Sequence, residues 1–220
     1  MISFIDFMKA FVRESRLIPF FKAVALYFIA GDLAPSVSAA ALKCTPLVWL
    51  LLTVAVRAPA ATPPQRQYTQ SVAAGLALSA LGDALLVWPQ HFVAGMAAFA
   101  GAHVAYVRAF GLRPRRYGVA LALLGGAALF LRAAPPPAPL AAPVAAYALL
   151  LAAMAWRGAA RAGPQRRGAL LFLLSDALLG YGLFAGPVPY GKVLVMSTYY
   201  LGQLCIAHSA LEQPPAPTTQ

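Results

Sequence analysis

Asp83 stands near the end of an apolar run, GLALSALGDALL at 75–86, and Asp176 holds the same place in a second run, GALLFLLSDALL at 168–179. Seven of the twelve positions are identical, and neither run contains another acid. The chain has only six acidic residues, and the other four (Asp6, Glu14, Asp32 and Glu212) fall in tails or near expected helix ends. A carboxylate at the centre of an apolar span costs roughly 3 kcal/mol on insertion scales unless it is paired or faces a cavity. Two of them in duplicate settings therefore read as a site. Burial favours the neutral form of a carboxyl, and two neighbouring carboxyls resist ionising together. One can then serve as a proton donor at neutral pH while the other stays anionic.

Further polar side chains fall inside apolar spans. Lys43 lies in ALKCTP, His103 in AHVAY, and Tyr199 and Gln203 in STYYLGQL. Tyr199 and Gln203 are four apart and Tyr106 follows His103 by three, so each pair shares a helix face. These groups are candidates to converge on one cavity with the aspartates. Lys43 beside an aspartate would hold that partner as the anion; which aspartate is the acid stays open. His91, His103 and His208 sit on different spans with no HExxH spacing, so no metal site is expected. Cys44 and Cys205 lie within spans and give neither a disulfide framework nor a ligand pattern. There is no GxSxG elbow and no phosphate-cradling glycine loop.

The elements that must position these residues are membrane helices. Of the 220 residues, 61% are hydrophobic and 10% charged, which leaves too little polar surface for an ordinary soluble domain. Apolar spans fall at about 17–33, 37–56, 68–88, 92–110, 117–131, 140–156, 168–185 and 193–211. Proline-rich or basic breaks separate them, among them RAPAATPPQRQ, RPRR, APPPAP and RAGPQRR. The expected fold is all-α, a polytopic membrane protein with eight transmembrane helices, and the duplicated aspartate run suggests two parallel four-helix repeats. Residues 1–16 read as an amphipathic segment on the membrane surface, without the order of a cleaved signal peptide. Residues 17–211 form the membrane domain and 212–220 a disordered tail. Net charge is +11, but the basic residues cluster in the short loops, which argues for orientation in the bilayer and against nucleic acid. Thirteen of the 17 Lys and Arg fall in the N-terminal segment and the second, fourth and sixth loops, against Arg132 and Lys192 on the opposite side. That asymmetry predicts both termini in the cytosol.

The residues also carry a resemblance. Lys43 with Pro46, LGDALL at 81–86, AHVAY at 102–106, AYALLLAAMAWRG at 146–158, LSDALLGYG at 174–182 and TYYLGQLCIAHS at 198–209 resemble, in order, the lysoplasmalogenase (YhhN-like) family. Here Cys44 and Thr45 stand between Lys43 and Pro46, a departure from that family's pattern. The resemblance implies hydrolysis of the vinyl-ether bond of 1-alkenyl-lysophospholipids in the endoplasmic reticulum membrane. It implies no metal or organic cofactor, and homodimerisation stays open. In this reading Asp83 and Asp176 are the acid–base pair, while Lys43, His103, Tyr199 and Gln203 support them or bind substrate. A proton-coupled transporter and a metal-dependent lipid hydrolase are the alternatives.

Overall fold

The computed structural model describes residues 17–212 other than Asp32 and Pro59. The amphipathic segment expected at 1–16 and all but the first residue of the expected tail lie outside the described residues. Within them the chain forms eight α-helices and no strand: α1 (Ile18–Ala30), α2 (Val37–Arg57), α3 (Pro63–Leu85), α4 (Phe92–Phe110), α5 (Tyr117–Ala133), α6 (Ala138–Ala159), α7 (Pro164–Phe184) and α8 (Gly191–Leu211). The all-α polytopic expectation holds. By length and hydropathy, α2, α6, α7 and α4 with its preceding 3₁₀ turn qualify as membrane spans, while α1 and α5 are shorter apolar helices.

Helix ends follow local chemistry. The Ser36 hydroxyl accepts from Ala39 N–H to start α2. Thr62 and Gln65 form a reciprocal capping box that starts α3 at Pro63, five residues ahead of the apolar run that hydropathy alone marks. The box satisfies orphan N–H groups that a polar sequence otherwise leaves to water. At the other end α3 stops at Leu85, because Pro89 opens a 3₁₀ turn at Pro89–His91. Asp83 therefore lies in the last turn of its helix, whereas Asp176 is eight residues from the end of α7.

Consecutive helices pack together within each half, α1 on α2, α2 on α3 and α3 on α4, then α5 on α6, α6 on α7 and α7 on α8. Across the halves, α2 meets α8 as α6 meets α4. This is close to the neighbour pattern of two equivalent four-helix units, which α3 breaks by also meeting α8. The first helix of each half is peripheral: α1 buries only Phe20 and Ala23, and α5 only Ala120. The interior is built on α3, α4, α7 and α8, where Phe99, Phe172 and Tyr199 meet edge to face in a triangle of rings.

The first glycine of the duplicated run does matching work in both copies. A Cβ on Gly75 would fall within the Tyr106 ring of α4, and a Cβ on Gly168 would lie 2.7 Å from the Gly202 carbonyl oxygen of α8. Each glycine lets the third helix of its half lie tightly on the fourth, the small-residue contact that replaces hydrophobic drive inside a bilayer. Gly125, by contrast, has open space around it. Gly168→Ala is expected to cost about 1–3 kcal/mol by overpacking and to lower the melting temperature in detergent. Gly125→Ala should raise it slightly, since helical glycine costs about 0.5–1 kcal/mol relative to alanine. Thermal unfolding of the two variants checks both signs.

Candidate active site

A cavity of about 490 Å³ opens among α2 to α8, with Lys43, Asp83, Tyr147, Ser175, Asp176 and Tyr199 as its polar lining. The remaining wall is apolar, including Met96, Phe99, Phe130, Leu151 and Leu183. α5 contributes a wall but packs on α6 and makes no comparable contact with α7. The side of the cavity between α5 and α7 is thus closed by side chains such as Phe130 against Gly180, without helix-on-helix packing.

Asp83 is held on both oxygens. Lys43 Nζ lies 3.4 Å from Oδ1, and the Tyr199 hydroxyl donates to Oδ2 at 2.7 Å. The carboxylate is 3% exposed and Lys43 17%, so both charges depend on each other for compensation. Lys43 owes its place to α2, where Pro46 removes one backbone donor and frees the carbonyl one turn earlier. Its own carbonyl accepts from the Tyr200 hydroxyl at 2.9 Å, which ties α2 to α8 at the same level.

Asp176 has a different set of partners. The Tyr147 hydroxyl of α6 donates to Oδ2, and His103 Nε2 lies 3.0 Å from that hydroxyl. His103 Nδ1 is buried with no hydrogen-bond partner. His103 Nε2 is 3.8 Å from Asp176, beyond hydrogen-bond range, so it acts on the carboxyl through Tyr147. No Lys or Arg pairs with Asp176 among the described residues, and its side chain is 13% exposed. The two halves thus use one plan: each aspartate takes a partner from the second helix of its own half (Lys43, Tyr147) and one from the fourth helix of the other (Tyr199; His103, through Tyr147).

Of the residues singled out in the sequence, Asp83, Asp176, Lys43 and Tyr199 line the cavity. His103 and Gln203 do not. His103 sits behind Tyr147 against Phe172, and Gln203 Oε1 accepts from the Tyr106 hydroxyl at 2.7 Å. Four residues along α8 place Gln203 about 6 Å from the level of Tyr199. It braces α4 against α8, with no contact to either carboxylate. Tyr147 and Ser175 were missed. Ser175 donates to the Val195 carbonyl at 2.9 Å and fixes α7 on α8 beside Asp176. A signal for Tyr147 existed in Pro143, one turn before it, as Pro46 lies within one turn of Lys43. Among the described residues no three His, Cys, Asp or Glu side chains gather as a metal-ligand set.

Fold and site together define a polytopic, all-helical membrane protein with one buried and one partly buried carboxyl at a single apolar cavity. The chain belongs to the YhhN family, whose pattern matches residues 38–210. Its relatives include Lysoplasmalogenase TMEM86B of Homo sapiens, 42% identical over 204 residues covering 90% of this chain and 87% of that protein. The Sus scrofa protein of the same name is 44% identical with the same coverage. Lysoplasmalogenase TMEM86A of Homo sapiens is 35% identical over 221 residues, covering 90% of this chain and 89% of that protein. No solved structure matches the chain.

Removing one member of a buried ion pair leaves the other uncompensated, at about 3–5 kcal/mol. Lys43→Met should accordingly destabilise strongly, and adding Asp83→Asn should recover more than half of the loss. A double-mutant cycle on thermal or denaturant unfolding in detergent measures the coupling; additive losses would dissolve the pair.

Proposed function

We propose that the chain hydrolyses the vinyl-ether bond of 1-alkenyl-lysophospholipids, the choline and ethanolamine lysoplasmalogens, releasing a fatty aldehyde and glycerophosphocholine or glycerophosphoethanolamine. The observation that carries this reading is the unequal pairing of two carboxyls on one apolar cavity. Asp83 has the Lys43 ammonium within reach, and among the described residues no Lys or Arg reaches Asp176. The family and the relatives' names support the reaction class.

In the reaction, neutral Asp176 gives its proton to the alkenyl carbon farther from oxygen, and the C=C electron pair forms the new C–H bond. An oxocarbenium ion results, and the Asp83 carboxylate stabilises it as glycosidase carboxylates stabilise a similar cation. Water then adds to the carbon bound to oxygen and passes its proton to Asp176, restoring the acid. The hemiacetal breaks its C–O bond to the glycerol oxygen, which takes up the hemiacetal proton as the aldehyde forms. Tyr147 acts as a positioning residue: its donated hydrogen bond occupies Oδ2 and leaves Oδ1 to carry the catalytic proton. The apolar wall suits the alkenyl chain. The same reading assigns the protein to the endoplasmic reticulum membrane with cytosolic termini, the first from the family resemblance and the second from the 13-to-2 basic asymmetry.

Purified protein should release aldehyde from 1-alkenyl-lysophosphatidylethanolamine and nothing from its 1-acyl analogue. Asp83→Asn and Asp176→Asn should each lower kcat by about 10²–10⁴-fold, the range of acid–base contributions, while Tyr147→Phe should lower it less and shift the pH profile. A folded wild type that yields no aldehyde ends the hydrolase reading. Full activity in both asparagine variants would make the carboxyls structural.

A further inference from the structure

At the end of the bundle remote from the carboxyls lies a second cavity of about 240 Å³ that the reaction does not use. Eleven residues of α7 separate Asp176 from its nearest wall at Gln165, about 16 Å along the helix. Its lining brings together the RAGPQRR break and the C-terminal ends of α6 and α8, with Arg157 and Arg161 as its cations and Glu212 as its one acid.

Arg157 is the unusual member. It is 2% exposed, far below what arginine normally accepts. Two of its donors are spent on the basic loop between α4 and α5: Nε donates to the Gly111 carbonyl at 2.6 Å and Nη1 to the Pro114 carbonyl at 3.0 Å. Nη2 is buried with no acceptor. Arg161 Nη2 donates to the Arg113 carbonyl at 3.0 Å, which sets a second guanidinium beside the first. Glu212 is turned to His208, its carboxylate 3.4 Å from Nδ1, and among the described residues it pairs with neither arginine. The third feature is the start of α7. It has no side-chain cap, and Gly163, Pro164 and Gln165 of that start line the same cavity. Pro164 has no N–H and the Arg166 N–H is spent on the Gly163 carbonyl, so what this start offers an anion is chiefly the partial positive charge of the helix.

A desolvated guanidinium N–H without an acceptor is costly, and it stands here in a pocket with a second arginine and a helix N-terminus. All three recognise the same thing. We infer that this cavity is a binding site for a phosphate-bearing anion, independent of the reaction at the opposite end. Guanidinium groups take phosphate oxygens in paired hydrogen bonds, which suits Arg157 and Arg161 better than lysines would. The phosphate comes from an anionic phospholipid headgroup in the adjoining leaflet or from solution, and the two sources are separable.

The test uses the full chain in detergent, with melting temperature read against inorganic phosphate in one arm and short-chain phosphatidic acid in the other. Short-chain phosphatidylcholine is the control for added lipid. A saturable rise is expected in at least one arm, with phosphate alone identifying a soluble anion and phosphatidic acid alone identifying a headgroup. Arg161→Gln should weaken the apparent affinity by at least about tenfold, the loss of one charged hydrogen bond. Arg66→Gln, elsewhere among the basic residues, should leave it unchanged. Arg157→Lys should also weaken it if folded, and Arg161→Gln decides the matter if it is not. No saturable rise in either arm overturns the site, as does an equal rise in wild type and Arg161→Gln, or an equal loss in Arg66→Gln.

Discussion

The contact on which the rest depends is Lys43–Asp83–Tyr199. It joins α2, α3 and α8, which belong to both halves of the bundle. None of its members is tolerable alone at that depth: an unpaired aspartate or lysine in an apolar interior costs more than most single packing contacts return. The helices must therefore meet where these three side chains meet. The tight glycine contacts on either side follow from that requirement. So does the low hydropathy of α3 and α8, neither of which reaches the threshold for a membrane span on composition. Both compensate by position, in the interior, where polar side chains find partners and lipid is excluded.

The two halves of the bundle resemble each other in arrangement, but their carboxyls have unlike partners. The helices pair equivalently in both halves, and each aspartate draws on the same two directions. Only the identity of the partner changes, an ammonium beside Asp83 and a phenol beside Asp176. A cation favours the anionic form of a carboxyl more strongly than a neutral hydroxyl donor does. In the proposed reaction this difference in partners is what assigns Asp83 the anion's part and Asp176 the acid's.

Much of this was legible in the sequence. Eight apolar spans set off by proline-rich and basic breaks gave the helices in order, because runs of hydropathy and clustered charge mark membrane spans without tertiary information. Helix starts were less so: the box of Thr62 and Gln65 extends α3 through polar residues that hydropathy assigns to a loop. The aspartates were visible because a charge in an apolar run demands a partner or a cavity, whether its role is structural or chemical. Tyr147 was not, since a lone tyrosine among leucines and alanines ordinarily packs. Gln203 was placed too near the carboxyls, because a shared helix face says nothing of depth, and one turn is about the length of a side chain. What sequence lacked throughout was the pairing across halves, which no local pattern encodes.

The cavity wall completes the argument about substrate. Its polar groups gather on α2, α3, α6, α7 and α8, while α5 offers only apolar side chains and the Gly125-Gly126 pair that leaves its surface flat. A helix held on one neighbour alone can yield sideways at lower cost than one packed on three. An alkenyl chain already lies in the bilayer, and a route between α5 and α7 would spare it passage through water. The glycerol end, which must leave as a polar product, would then sit toward the short link after Asp83, where α3 ends and the polar membrane boundary is nearest. An acid placed in the last turn of one helix and another placed two turns into the next half's equivalent would thus bracket the bond that joins the two parts of such a lipid.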